Sequence, residues 1–404
     1  MQQTVPSAES TTSEPSFASV TPKELSQVAG GSTMTTEIVS TSAGLAALRD
    51  EWNELLGASR ANTLFLTWEW VNTWWRVYQR GELHVVLMRD AGGLLVGLAP
   101  LHLVRRAALG ATWTAVAFLG DGGDVTPEHL DFVVRDGWGD IVTAAILNGL
   151  LSNSLIEEID LQPLAADSPT LPLATAKMRG AGGITDHSPG PRCPYALLPH
   201  SREEFLASRS RNYRKKIGEY ERRCQRKYAT RLRRSVTPLE VTKDLETLRR
   251  LHLARWGEAS RAFRTANYIE FHELFAQLML QNASLRLYSM EGGADGHPIA
   301  MSYCVNYAGR YYFYQAGRDP STESDRTGLV LMHQVIQEAI ADGATVFDFL
   351  SGQEQYKYRW ASGEASSDRV IHWRRVSTYA IAMGQRAVGK LRSVPGRFAG
   401  IWRR

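Results

Sequence analysis

Two stretches of the chain, 200 residues apart, follow the same script, and that repetition limits the folds available to it. "LHVVLMRDAGGLLVGLAPLHLV" (83–104) reads as strand, Gly-rich turn, strand. "LRLYSMEGGADGHPIAMSYCVNY" (285–307) reads the same way with a longer turn. Both turns carry the Asp and Gly residues that hairpins require. A third strand follows each, "WTAVAFLG" in the first half and "GRYYFYQAG" in the second. A helix and a further strand come next, "DIVTAAILNGLLSNSLIEEIDLQPL" (140–164) and "GLVLMHQVIQEAIADGATVFDFLSG" (328–352), which puts Asp160 and Asp348 at corresponding places. Amphipathic helical text opens each half: "LAALRDEWNELLGAS" in one, "LETLRRLHLARW" and "YIEFHELFAQLMLQ" in the other. The pattern predicts a divergent duplication, two α/β (α+β) lobes with mixed central sheets flanked by helices.

The chain of 404 residues is long enough for two such lobes with tails. Pro and Gly cluster in "DHSPGPRCPYALLPH" (186–200), which predicts a boundary there. We divide the chain into a Ser/Thr-rich disordered tail (1–37), a first lobe (38–198), a second lobe with a basic entry helix (199–376) and a basic tail (377–404). The N-terminus has no basic start and no apolar core, so it does not read as a signal peptide. No run of about 18 apolar residues occurs, which argues against a membrane-spanning helix. The last stretch, "YAIAMGQRAVGKLRSVPGRFAGIWRR", holds six basic residues and no acid. It reads as a solvated tail or as peripheral contact with an anionic membrane surface. Cys193, Cys224 and Cys304 are widely spaced and form no metal or redox motif, so the compartment expected is reducing cytoplasm and no metal is expected. Trp68, Trp70, Trp74 and Trp75 span two faces of a helix, a first-lobe core with sugar stacking as the other reading.

The net charge of +4 hides an uneven distribution. Residues 202–234 hold 13 Lys/Arg against 4 Glu, so the rest of the chain is net acidic. Within that segment "SREE" (201–204) fits a capping box. Tyr213, Ile217, Tyr220, Cys224 and Tyr228 then recur at helical spacing, one apolar stripe on an otherwise basic helix. Arg211, Arg214, Lys215 and Lys216 are the candidates for binding an anionic acceptor or phosphate; solvation alone also explains such a helix. A second anion site is predicted where "ESDRTGLVLMHQVIQEA" (323–339) starts a helix. Free N–H groups of Thr327, Gly328 and Leu329, with Arg326 beside them, favour negative charge, and Gly328 admits close backbone approach.

The densest chemistry follows the last core strand, in "VFDFLSGQEQYKYRW" (346–360). A strand end that delivers two acids, a phenol and an ammonium to a cleft suits acid–base chemistry on a bound ligand. Asp348 or Glu354 serves as base in this reading, Tyr356 as acid, and Lys357 neutralises a phosphate or carboxylate. The plain alternative is that Tyr356, Tyr358 and Trp360 anchor a helix on the sheet. No nucleophile elbow, P-loop or dinucleotide fingerprint occurs.

Five stretches together, "TWEWVNTWW", "GLAPLHL", "SRNYRKKI", "YYFYQAGRDP…TGLVL" and "DFLSGQEQYKYRW", resemble the double-lobed GNAT acyltransferases named for CelD-like proteins of bacterial cellulose and exopolysaccharide biosynthesis, relatives of the FemAB-type transferases. The resemblance spans about 38–376. It implies tandem GNAT-like lobes, the second one catalytic. It implies that acetyl-CoA is the acyl donor, its pyrophosphate at Arg326–Leu329. Its thioester would lie in a gap between the strands of "YYFYQAG" and "TVFDFL", facing Gln315 and Asp348. The acceptor implied is a glycan, lipid-linked or small-molecule amine or hydroxyl. Two alternatives stay open: a FemAB-like transferase drawing on aminoacyl-tRNA, and a non-catalytic GNAT scaffold bound to a synthase.

Overall fold

The computed structural model of the protein describes residues 27–29 and 32–393. The first half contributes β1 (Gln27–Ala29), β2 (Ser32–Val39), β3 (Glu82–Leu83), β4 (Val85–Arg89), β5 (Leu95–Ala99), β6 (Leu101–Ala108), β7 (Ala111–Phe118), β8 (Val133–Val134), β9 (Glu158–Ala165) and β10 (Ile184–Leu197). The second half contributes β11 (Arg231–Arg234), β12 (Leu285–Gly292), β13 (His297–Tyr307), β14 (Arg310–Arg318), β15 (Val346–Asp348) and β16 (Gly363–Trp373). Eleven strands form one sheet in the order β11-β12-β13-β14-β15-β10-β16-β9-β7-β6-β3, and β1-β2-β4-β5-β8 form a second.

The same succession occurs twice. In the second half β12, β13 and β14 run antiparallel, a helix (Thr327–Ala341) follows, and β15 returns parallel to β14 with Tyr312 opposite Asp348. In the first half β4 pairs β5 and β6 pairs β7, a helix (Gly139–Ser152) follows, and β9 returns parallel to β7 with Ala117 opposite Asp160. The halves differ at Pro100. It stands between β5 and β6, and the interrupted strand serves two sheets where β13 serves one; a proline that offers no N–H suits such a break.

Each half then sends its final strand to the other. β10 pairs β15 through Tyr195–Leu197, while β16 pairs β9, and β10 and β16 pair with each other at the centre. The Pro/Gly-rich text at 186–200, expected as a boundary loop, is therefore mostly strand. It tolerates its prolines because the ladder to β16 shifts register between Pro189 and Arg192, and β15 covers only its last three residues.

Two helices, Trp68–Tyr78 and Ala266–Gln281, each preceding the hairpin of its own half, pack face to face. Trp70 meets Phe271 and Phe275 edge-on at 4.8 and 5.1 Å. Trp68, Trp70, Trp74 and Trp75 are all buried, so the core reading of this group holds and the sugar-stacking one does not.

The basic segment forms two helices rather than one, and then β11. Arg202–Ser208 is capped by Ser201, whose Oγ accepts the Glu204 N–H. Arg211–Tyr228 is capped by Ser210. Its predicted stripe faces inward: Ile217 and Cys224 are buried, and Tyr213, Tyr220 and Tyr228 pack against the second-half core. Of the expected N-terminal tail, residues 1–26 lie outside the described residues, and β2 begins within the remainder. The expected C-terminal tail begins as a helix, Val376–Ser393, and 394–404 lie outside the described residues. Among the described residues no helix is long and apolar enough to cross a membrane.

Candidate active site

The site is made by the early end of one strand. β14 and β15 are paired only over 310–312 and 346–348. β14 continues to Arg318, whereas the chain beyond Asp348 turns away with Leu350 in the left-handed region (φ 55). The edge of β14 from Phe313 to Arg318 thus loses its partner on that side, and a gap opens on each side of it.

On one side is a groove of about 190 Å³. Its walls include Ala316, Gly317 and Arg318 of β14, the helix start Thr327-Gly328-Leu329, and Tyr356. Arg326 is the N-cap of the helix, in the left-handed region, and no side chain caps that end. The Thr327 hydroxyl is committed to Thr322 at 2.7 Å, so Thr327 offers its backbone to a ligand rather than its side chain. A Cβ on Gly328 would come within 3.2 Å of Arg318 Cδ. Four guanidinium groups, from Arg255, Arg318, Arg326 and Arg359, line the groove against one carboxylate, Glu323. Glu323 pairs with Arg318 Nη2 at 2.6 Å, while Nη1 of the same side chain is buried without a partner. Arg255 stacks on Trp256 at 4.4 Å, and both burial and the nearby Arg318 pull its pKa down. Such an arrangement suits an anion.

On the other side is a cavity of about 560 Å³ between the two halves. Gly123, Asp124, Thr126 and Glu128 reach it from the first half, and Tyr268, Gln315, Ser351, Glu354 and Lys357 from the second. Arg255, Phe313, Ala316 and Tyr356 line both spaces and form the partition between them. Burial, then Glu354, push the Tyr356 phenol pKa above its ordinary value, which keeps the phenol protonated.

Several expected roles change on this geometry. Asp348 does not line either space. It is 1% exposed, its Oδ2 accepts from Arg310 at 2.9 Å, and its Oδ1 accepts the Leu350 N–H at 2.9 Å, so it fixes the turn that opens the gap. Lys357 is also structural in its contacts. It is 4% exposed, donates to the carbonyls of Ser351 (2.6 Å) and Leu350 (3.4 Å), and pairs with Glu354 at 3.0 Å. The segment around it forms a single 3-10 turn, Lys357–Arg359, instead of the expected helix. Gln315 faces the larger cavity and donates to the Tyr268 hydroxyl at 3.3 Å, away from the helix start where a donor's phosphates were expected.

The basic helix does not reach either space. Its apolar stripe decides which face turns inward, and the four candidate positions lie on the other faces, while Lys227 near its end pairs with Asp325. Arg214 Nη1 donates to the carbonyls of Leu206, Ala207 and Arg209, closing the preceding helix. Lys215 stands 4.0 Å from Glu219, and Arg211 and Lys216 are exposed. Arg326, Thr327, Gly328, Leu329, Glu354 and Tyr356 do meet at the two spaces.

Three groups at the site were not singled out from sequence. Arg255 ends the helix Pro238–Trp256, and Arg318 ends β14 just before the loop of the expected anion site. Glu128 lies in "LGDGGDVTPEHLDF", a Gly- and Asp-dense loop after β7 whose length and composition were the available signal. It is 2% exposed, and burial lifts its carboxyl to about 7.

Residues 211–358 match the family described as an acetyltransferase (GNAT) domain. Among solved structures, the chain is similar to FemX, at 12% identity and a TM-score of 0.59, over 82% of this chain and 97% of that one. It is also similar to a conserved protein of unknown function from Bacteroides thetaiotaomicron, at 11% identity and a TM-score of 0.52, over 83% of this chain and all of that one. Identities so low speak for the fold alone. No curated protein matches the chain. The protein carries a transferase domain of the GNAT kind within mixed sheets flanked by helices.

Proposed function

We propose that the protein transfers an acyl group, most simply acetyl from acetyl-CoA, to an amine or hydroxyl of a polysaccharide or cell-envelope precursor. One observation carries the reading. The arginine-lined groove at an uncapped helix start adjoins the inter-half cavity, and Tyr356 stands in the partition. The helix start with Arg326, Arg318 and Arg255 holds the donor's phosphates. The unpartnered edge of β14 offers backbone N–H and C=O groups to the amides of an extended donor arm, as an open strand edge does for a peptide. The acyl carbon then lies at the partition, beside Phe313, Ala316 and Tyr356, and the acceptor approaches from the larger cavity.

In this reading Tyr356 donates its proton to the sulfur that leaves. Lys357 and Asp348 act as positioning residues, because they hold the turn at 348–351 and so keep the gap open. A polysaccharide setting comes from the resemblance to CelD-like proteins, and an aminoacyl-tRNA donor from the relation of that branch to FemAB-type transferases. Calorimetry and thermal shift on the full chain separate these. Stabilisation by acetyl-CoA, of the size RT ln(1 + [L]/Kd), supports the first reading, and stabilisation by charged tRNA alone replaces it. Silence with both leaves the scaffold reading in its place.

A further inference from the structure

Three acids line the larger cavity, and two of them are already engaged. Asp124 accepts from the hydroxyls of Tyr78 and Thr265. Glu354 pairs with Lys357. Asp348, which is close enough to Glu128 to act on it, is paired with Arg310. His252, the histidine in the wall, has both ring nitrogens engaged, with the Ala316 carbonyl at 2.9 Å and the Ser260 hydroxyl at 2.7 Å. Glu128 differs from all of these. Among the described residues it has no cationic partner. Its oxygens accept the Ser351 N–H at 3.2 Å and the Cys193 S–H at 3.4 Å, with the Ser351 side chain also on the carboxylate. A carboxylate held out of water without a cation is costly, and such groups collect at reacting sites.

We propose that Glu128, supplied by the first half to a cavity whose other wall belongs to the second, is the base that takes the acceptor's proton. This rests on the acyl-transfer reading above. With an amine acceptor, the nitrogen's lone pair forms the new C–N bond. The C–S bond breaks and its electrons leave on sulfur. Sulfur takes the Tyr356 phenolic proton, and Glu128 takes the proton from nitrogen. Proton return from Glu128 to Tyr356 through solvent restores both groups, and the products are an amide and a free thiol.

The groups facing Glu128 are Cys193 on β10, Asp348 on β15 with Arg310 on β14 behind it, and Ser351, Glu354 and Lys357 in the turn after β15. The carboxyl is raised to about 7 by burial first, with Asp348 adding to the rise and the hydrogen bonds from Ser351 (side chain and backbone) and Cys193 opposing it.

The test uses the full chain with carboxyl-labelled glutamate, acetyl-CoA as donor and glucosamine as the probe amine. Carbon NMR should show one glutamate titrating near pH 7 that vanishes in Glu128→Gln. Acetyl-CoA affinity by calorimetry should be unchanged in Glu128→Gln. CoA release with glucosamine should fall by about 10²–10⁴-fold and lose its rise through neutral pH, with Glu128→Asp recovering part of it. The melting temperatures of both variants report folding. A titration near 4.5, or normal turnover by Glu128→Gln, overturns the assignment. Loss of acetyl-CoA binding by the unmodified chain overturns the parent reading instead.

Discussion

Asp348→Ala and Asp348→Asn ask whether this acid holds the fold or performs the chemistry. Two contacts set the expected size. Its Oδ1 accepts the N–H of Leu350, a buried residue held at φ 55, and removing an acceptor from a buried N–H costs about 1–3 kcal/mol. Its Oδ2 faces Arg310, whose side chain is 35% exposed and can turn to water. That exposure puts the loss of the pair well below the 3–5 kcal/mol of a fully enclosed one, at roughly 1 kcal/mol. Asp348→Ala loses both contacts, so we expect a destabilisation of about 2–4 kcal/mol. Asp348→Asn keeps an oxygen for Leu350 and loses only the charge, so about 1 kcal/mol is expected. Equilibrium urea unfolding measures both. The refuting result is a pair of variants as stable as the parent with turnover abolished, because that pattern belongs to a group acting on the reacting atoms.

Three further outcomes are expected. Arg326→Ala should weaken acetyl-CoA binding by about 1–3 kcal/mol in calorimetry, the scale of a charge-assisted hydrogen bond; unchanged affinity would remove the donor from that helix start. Tyr356→Phe should lower turnover by about 10²–10⁴-fold with little change in melting temperature, since the ring is kept; normal turnover would make Tyr356 part of the wall only. His272 is enclosed by Phe263, Tyr268, Phe271, Tyr303 and Tyr314, neither ring nitrogen has a partner among the described residues, and burial pulls its pKa down to about 3. The neutral ring therefore stabilises the fold above its ordinary value of 6.5, and that contribution is lost as pH falls toward 3. His272→Phe should flatten the decline of melting temperature between pH 6.5 and 4, and an identical decline would place the acid sensitivity elsewhere.

What could be read from sequence followed from how local its cause was. Hairpins, the helix after each third strand and the apolar stripe of the basic helix are short-range patterns, and each reappears in the structure. The helix start at Thr327 was legible for the same reason, because glycine and the polar loop before it are adjacent in sequence. The pairing of Asp348 was not legible because its partner, Arg310, begins the neighbouring parallel strand 38 residues earlier. The prolines of β10 read as a break because nothing local says that β15 will cover so little of that strand. Glu128 and the Arg255–Arg318 pair gain meaning only from the gap beside β14, which brings together text from three distant places.

The crossing of β10 and β16 has a consequence during synthesis. Emerging from the ribosome, the first 200 residues include β9 and β10, but the strand that lies between them in the finished sheet ends at Trp373. Until then β9 presents an unsatisfied edge, and such edges invite pairing with other nascent chains. Cutting the gene between the halves should therefore yield two insoluble pieces that recover solubility when produced together. A circular permutant that joins the chain differently but keeps both crossing strands should remain soluble by itself.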